Sequence, residues 1–154
     1  SNPLAEYKDW KKVWRFNAGI AIEVNSFLLP LYNKNKKSGR IIHISSLSSV
    51  SNNFKHDKIA YAASKNFLNF YLTNLPRFKE TNKCFLYAFL PGPINVEGKY
   101  WNKQFIKNKK KVLKYMKKNY KAGRLLKVSE VGSKIINLAL QKKPRKSGSL
   151  IYIK

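Results

Sequence analysis

Tyr61-Ala62-Ala63-Ser64-Lys65 places a phenol and an ammonium four residues apart. On a helix that spacing puts both groups on one face, one turn from each other. A cation beside a phenol favours the phenolate, so this tyrosine can exchange a proton with a carbonyl or alcohol oxygen, while a nearby serine hydroxyl hydrogen-bonds the same oxygen. The spacing alone is not specific. Tyr7 with Lys11 and Tyr32 with Lys36 repeat it, and those two read as solvated helix pairs or aromatic anchors. Context separates Tyr61. It follows an apolar run that ends in a serine cluster, and Ala62, Ala63 and Ser64 leave room for another backbone or a cofactor.

The elements that must position these groups follow from periodicity. Trp10, Val13, Trp14, Ala18, Ile20, Ala21, Val24, Phe27 and Leu28 recur at helical spacing and predict one long helix, or a kinked pair, over Tyr7 to Asn33. Gly39 ends the basic stretch behind it. Ile41-Ile42-His43-Ile44 is apolar on consecutive positions, which predicts a strand buried on both faces of a parallel sheet. A Ser and Asn loop follows, from Ser45 to Asn53. Ala60 to about Phe78 reads as a helix capped by Asp57, with Ala60, Ala63, Phe67, Phe70, Tyr71 and Leu75 on its inner side. Cys84 to Leu90 reads as a second buried strand, closed by Pro91-Gly92-Pro93. Tyr100 to Tyr120 is basic, aromatic-studded and helical. Ser129-Glu130 opens a helix over Val131 to Gln141 by N-cap and first-turn acid, and Leu150 to Ile153 is a last strand. Helices alternating with strands imply parallel strands with crossover helices, an α/β layered fold. Ligands of such sheets sit at the carboxyl ends of the strands, which points to Ser45–Ser49 and to Pro91–Ile94.

Composition narrows the classes. The chain has 154 residues and 44% apolar content, enough for one domain with a core and too apolar for a disordered polycation. No apolar run approaches the ~20 residues of a membrane span. Ser1 to Lys12 is polar and lacks the apolar stretch of a secretory signal, so a cytoplasmic location is expected. Cys84 is the single cysteine, and His43 and His56 are the only histidines. That excludes an internal disulfide and argues against a metal site. The net charge of +25 invites a nucleic-acid reading. However, only Arg15, Arg40, Arg77, Arg124 and Arg145 carry guanidinium groups, whereas base readout favours Arg. Abundant Lys, Asn, Ile and Tyr together also fit an AT-rich coding sequence, so no specific nucleic-acid partner is expected.

Several runs together resemble the short-chain dehydrogenase/reductase family. They are Ser38-Gly39-Arg40-Ile41-Ile42-His43-Ile44-Ser45-Ser46, then Tyr61-Ala62-Ala63-Ser64-Lys65, then Leu90-Pro91-Gly92-Pro93-Ile94. Trp10 with Asn17, Gly123-Arg124-Leu125-Leu126 with Ser129-Glu130-Val131, and Ser147-Gly148-Ser149-Leu150-Ile151 agree in order and nearly in spacing. The resemblance implies a Rossmann-like three-layer parallel sheet. It implies hydride transfer between NAD or NADP and a carbonyl/alcohol pair. Tyr61 would be the acid/base. Lys65 would assist its ionisation and hold the nicotinamide ribose hydroxyls. Ser46 would orient the substrate oxygen, and Asn17, at a helix kink, would hold a water linking Lys65 to solvent. Tyr61, Lys65, Pro91, Gly92 and Ile94 would contact the cofactor. The strand-end match selects Ser46, whereas counting the family spacing back from Tyr61 selects Ser48; Ser46 is preferred. Residues 100–121 would form a substrate lid, with Tyr100, Trp101 and Phe105 as contacts. The run from Pro91 to Trp101 is similar to reductases of bacterial surface-sugar biosynthesis, which implies a sugar-related small molecule.

The family's Gly-rich turn after a first strand is not found in the sequence. Residues 1–154 are therefore expected to be a single, partial Rossmann domain, the C-terminal catalytic portion with the N-terminal βαβ units missing, and a homo-oligomer when full length. Two other readings compete: a non-catalytic interaction module on the same fold, and a Lys-rich binder of nucleic acid or anionic surfaces through Lys107–Lys121. Convergence of Tyr61, Lys65 and Ser46 on one cleft favours the enzyme; a lysine stripe with exposed aromatics favours the binder.

Overall fold

The computed structural model describes residues 6–35, 38–51 and 58–153. The expected Asp57 cap and His56 lie outside them. Three parallel strands, β1 (Gly39–Ile44), β2 (Cys84–Pro91) and β5 (Ser149–Ile153), form a sheet in the order β1-β2-β5. The register sets Gly39 opposite Cys84 and Ile44 opposite Phe89; on the other side Tyr87 faces Ser149 and Pro91 faces Ile153. Parallel pairing needs crossovers, and helices supply them. The first crossover is α3 (Ile59–Asn74). The second carries α4 (Tyr100–Lys107), α5 (Lys109–Asn119) and α6 (Val128–Leu140).

The alternation of β2 builds the layers. Ala88 and Leu90 pack with Ala21, Leu68 and Leu72, and Cys84 and Leu86 pack with Leu29 and Ile41, all on one face. Tyr87 and Phe89 pack with Val131 and Leu138 on the other. The result is helices on both faces of a parallel sheet, the three-layer Rossmann-like arrangement expected. β2 is buried along nearly its whole length. β1 departs from the expectation of burial on both faces: most of it is half-buried and Ile44 is exposed. Among the described residues, β1 is one of the two edges of the sheet.

The long N-terminal helix is interrupted. α1 (Tyr7–Trp14) passes through a π-helical turn, Arg15–Gly19, into α2 (Ile20–Lys34). Ala18, Ala21, Asn25 and Leu29 face inward, while Ile20, Val24 and Phe27 of the periodic set, and Phe16 beside them, are exposed. The inner face of α3 also differs from the expected one. Ala60, Ala62, Ser64, Leu68, Asn69 and Leu72 are buried, whereas Phe67 and Phe70 are exposed and Ala63 is exposed with them. Small side chains let the backbone of α3 approach the sheet, and the bulky phenylalanines turn outward. α3 stops at Asn74, and Pro76 sits in the 3-10 turn that follows, where its ring and missing N–H prevent helix continuation.

Local chemistry fixes the remaining ends. Asn108 separates α4 from α5 and caps α5, its side chain accepting the Lys111 amide at 2.9 Å. α6 starts at Val128, so Ser129 lies inside the helix rather than capping it; Glu130 accepts the Lys127 amide at 3.4 Å and pairs with Arg124 at 3.0 and 3.2 Å. The carbonyls at the end of α6 receive the guanidinium of Arg40, which donates to Ala139 and, at 2.5 Å, to Gln141. That ties the helix to β1 and satisfies orphan acceptors. Gly148 turns into β5 with φ +83°, where a Cβ would lie 3.1 Å from the Thr73 carbonyl. A two-stranded parallel pair absent from the sequence reading, β3 (Ile94–Asn95) with β4 (Leu126–Lys127), pins the exit of β2 to the start of α6.

Leu86→Ala, at a fully buried position of β2, is expected to destabilise the fold by about 2–5 kcal/mol through lost transfer and a residual cavity. Ile136→Ala, on an exposed face of α6, should stay within about 0.5 kcal/mol. Urea unfolding midpoints of the two variants check this contrast.

Candidate active site

The cleft begins where β1 ends. The Ser45 amide donates to the Phe89 carbonyl at 2.8 Å, extending the ladder by one residue. Ser46 then continues in extended conformation (φ −160°, ψ 147°) into a 3-10 turn, Leu47–Val50. Its Oγ accepts the Ser48 amide at 3.1 Å, and its carbonyl accepts the Ser49 amide at 3.1 Å and the Ser49 hydroxyl at 2.5 Å. Asn69 and Asn66 of α3 donate to the Ser49 hydroxyl and carbonyl at 2.7 and 2.9 Å. The turn is thus anchored to α3. Ser45 and Ser49 are buried in this anchoring, and Ser46 and Ser48 line the cleft. Because the Ser46 Oγ is an acceptor within the turn, its own O–H remains to donate to a ligand oxygen.

α3 brings its first turn to the same place. Tyr61 is half-buried and lines the cleft with Ser46 and Ser48. Lys65, one turn on, sits behind the lining. Its Nζ donates to the Ile44 carbonyl at 2.7 Å and lies 5.9 Å from the centre of the Tyr61 ring. The Lys65 carbonyl accepts the Ser45 hydroxyl at 3.4 Å. Burial lowers the Lys65 pKa, because desolvation penalises the ammonium.

Beneath Lys65 lies a polar chain. His43 shares a 2.9 Å hydrogen bond between Nε2 and the Oδ1 of fully buried Asn25, whose Nδ2 donates to the Tyr71 hydroxyl at 3.5 Å. Burial first, and the Lys65 charge second, hold the His43 pKa below its ordinary value. Asn17 lies in the π turn, as the expected kink required, and its Nδ2 donates to the Val13 carbonyl at 2.8 Å. The π turn packs on α3, but Asn17 is not part of the cleft wall.

Pro91, Gly92, Pro93 and Ile94 form the opposite wall, at the carboxyl end of β2. The Gly92 amide donates to the Ile153 carbonyl at 3.2 Å. A Cβ on Gly92 would stand 3.4 Å from Leu47 and 3.6 Å from Tyr120, ordinary contact distances. The protein packing therefore tolerates a side chain there. What the glycine preserves is open space on the floor of the cleft.

Residues of α4 and α5 and the turn after them form the third side. Tyr100 and Trp101 of α4, with Tyr115 and Tyr120, line a volume of about 570 Å3. Trp101 stacks on Tyr115 at 5.7 Å, and Tyr115 meets Tyr120 edge-on at 6.1 Å. Burial, with Tyr115 alongside, pushes the Tyr120 pKa up to about 12, so that phenol stays neutral. Phe105 is not among the residues lining the cleft; it packs against the Val112, Met116 and Leu125 cluster. Lys58, Tyr115 and Tyr120 also line the cleft and were not singled out from sequence. Lys58 is the N-cap residue of α3, just outside the helix. Among the described residues no cluster of His, Cys, Asp or Glu could hold a metal, and no helix is long and apolar enough to cross a membrane.

A family model described as enoyl-(acyl carrier protein) reductase matches residues 4–154. The chain belongs to the short-chain dehydrogenase/reductase family. Solved structures with the same fold include an NADPH-dependent 3-quinuclidinone reductase from Rhodotorula rubra (21% identity, all of this chain, 55% of that one, TM-score 0.80). A 3-oxoacyl-(acyl-carrier-protein) reductase from Agrobacterium tumefaciens C58 with NADP bound matches at 19% identity over 97% of this chain and 56% of that one, TM-score 0.83. A halohydrin dehalogenase matches at 17% identity over 97% of this chain and 60% of that one, TM-score 0.82. No curated protein matches the sequence. The chain thus spans 55–60% of the length of these structures.

His43 sets a pH dependence. Its folded pKa lies below 6.5, so on acidification the unfolded chain takes up a proton before the folded one does, and stability falls below about pH 6.5. His43→Gln should flatten that part of the profile. Urea midpoints of both proteins at about pH 7.5 and about pH 5 measure it.

Proposed function

We propose that this chain carries the catalytic half of an NAD(P)-dependent oxidoreductase acting on a carbonyl/alcohol pair. One observation carries the reading: Tyr61, Ser46 and the Pro91–Ile94 wall meet in one cleft at the carboxyl ends of adjacent parallel strands. The same fold serves a halohydrin dehalogenase, so fold alone does not choose the reaction. The open floor at Gly92 suits a flat ring, and the NADPH-dependent and NADP-bound relatives support the nicotinamide reading.

Tyr61, Lys65, Pro91, Gly92 and Ile94 would hold the nicotinamide end of NAD or NADP, which supplies or accepts the hydride. The Ser46 hydroxyl donates a hydrogen bond to the substrate oxygen and aims it at Tyr61. In reduction Tyr61 gives its phenolic proton to that oxygen; in oxidation it takes the proton back. The ammonium of Lys65, 5.9 Å from the ring, stabilises the phenolate left behind. Asn17, in the π turn packed on α3, is placed to link Lys65 to solvent through a water. The exposed stripe of Phe16, Ile20 and Phe27 supports assembly of the full-length protein as a homo-oligomer. The lid aromatics pack against one another and against the cleft rather than standing free between lysines, which disfavours the nucleic-acid reading.

NAD(P)H oxidation by the full-length protein with a panel of carbonyl substrates, sugar-derived ones included, tests this. Tyr61→Phe should lower turnover by about 10²–10⁴-fold, and Ser46→Ala should cost more than Ser48→Ala. Turnover retained in Tyr61→Phe would sink the mechanism. Gly92→Val should keep the fold and raise KM for the nucleotide.

A further inference from the structure

The outer side of α4 and α5 carries charge of one sign. Ten of the chain's 27 lysines fall within residues 99–121, and no Asp or Glu does. That is more than a third of the lysines in less than a sixth of the sequence, so general lysine richness does not account for it. Helical spacing turns the count into a surface. Lys110, Lys114, Lys117 and Lys118 recur at i, i+4, i+7 and i+8 of α5 and share one face. All four are exposed, whereas Val112 and Met116 on the opposite face are buried. On α4, Lys103, Ile106 and Lys107 lie within one turn and are exposed, Ile106 at 76%, while Trp101 and Phe105 pack on the Val112 and Met116 cluster. Both lysine faces therefore point away from the core that the two helices share. No acid stands three or four residues from any of these lysines, the spacing at which a helix pairs its charges. Lys110, Lys114 and Lys118 instead repel one another at i, i+4, which destabilises α5. An anionic partner laid on this face would remove that cost.

We propose that the outer face of α4 and α5 docks on an anionic lipid surface, with its lysines among the headgroup phosphates and Ile106 reaching the acyl boundary. Any array of phosphates attracts the lysines, and Ile106 favours lipid among them. A branched aliphatic side chain between Lys103 and Lys107 finds no apolar partner on a nucleic-acid backbone. At a bilayer it leaves water, while the lysine stems lie along the interface with their ammoniums at the phosphates. Residues 99–121 also hold no Arg, the side chain most used to read bases. Trp101, Tyr115 and Tyr120 pack on one another instead of presenting faces on which bases stack. No described helix is long and apolar enough to cross a membrane, so the contact these helices make is peripheral. Tyr100, Trp101 and Tyr115 of the same two helices wall the cleft, so docking holds the cleft beside the surface. The assignment does not rest on the oxidoreductase reading.

The test is co-sedimentation of the 154-residue chain with vesicles of phosphatidylcholine alone and of phosphatidylcholine mixed equally with phosphatidylglycerol, at about 0.1 M salt. The mixed vesicles should bind about tenfold or more tightly than the neutral ones, since each lysine near an anionic surface contributes several-fold. A net charge of +25 draws every face of the chain to such vesicles, so two variants of equal charge are compared. Lys110→Gln, Lys114→Gln, Lys117→Gln and Lys118→Gln together should weaken binding to the mixed vesicles about tenfold or more. Lys12→Gln, Lys134→Gln, Lys142→Gln and Lys143→Gln together, at lysines exposed elsewhere, should weaken it less than about threefold, because charges beyond a Debye length of the surface are screened. Ile106→Gln leaves every charge in place. It should weaken vesicle binding about threefold or more and leave binding to a short DNA duplex unchanged. Gln matches Lys in helix propensity, and far-UV circular dichroism should show the parent's helix content in every variant. The vesicle preference of the parent and the Ile106→Gln comparison decide the matter without the α5 variant. The proposal is overturned if neutral vesicles bind as tightly as mixed ones, if the two lysine variants weaken binding equally, if Ile106→Gln binds the mixed vesicles like the parent, or if the DNA duplex releases the protein from them at equal phosphate concentration.

Discussion

The hydrogen bond from the Lys65 ammonium to the Ile44 carbonyl is the constraint on which the site depends. A strand that has run out of partners leaves its last carbonyls exposed to whatever comes next. Here a helix side chain takes one of them. The reverse tie, from the Ser45 hydroxyl to the Lys65 carbonyl, closes a loop between α3 and the end of β1. With these two elements fixed, Tyr61 one turn before Lys65 and Ser46 two residues after Ile44 are fixed as well. Asn66 and Asn69 repeat the pattern one turn further along, holding Ser49. The geometry of the cleft is thus set by the same contacts that dock the crossover helix, and the parallel register of β1 and β2 brings the Pro91–Ile94 wall alongside.

This placement has an electrostatic cost that the sequence distributes with care. Lys65 is partly desolvated, and burial together with the Lys65 charge lowers the pKa of His43. Asn25 resolves the conflict by meeting His43 with a neutral dipole instead of a carboxylate. The opposite logic rules α4 and α5, whose lysines have no acids among them and whose inner side is an aliphatic cluster ringed by aromatics.

Most of the architecture could be read from residues because the informative signals were local. The run Ile41-Ile42-His43-Ile44, the serine run and Pro91-Gly92-Pro93 each marked a strand or its end, and alternation of elements gave the parallel sheet. What misled was side-chain size. On α3 the phenylalanines drew the expected inner face toward Ala63, Phe67 and Phe70, whereas the buried stripe is Ala60, Ser64, Leu68 and Leu72. Close approach to the sheet selects small residues, and hydrophobicity ranks them low. Burial of β1 on both faces was expected from composition alone, which cannot see that its outer edge is unpaired among the described residues. The ambiguity between Ser46 and Ser48 arose from counting through a 3-10 turn, and the turn shows both to line the cleft. Lys58 went unnoticed because one more lysine in so basic a chain carries little information until its position over two rings is known.

The π turn at Arg15–Gly19 has a consequence for how α1 meets α3. A π turn holds one residue more than the α-helical turn it replaces, and one extra residue rotates everything on one side of it by about 100° relative to the other. Trp14, on the α1 side of the turn, meets Phe67 of α3 at 5.8 Å and lies against Gly19. Shortening the turn by one residue would swing that face of α1 away from α3 with no change in α3 itself.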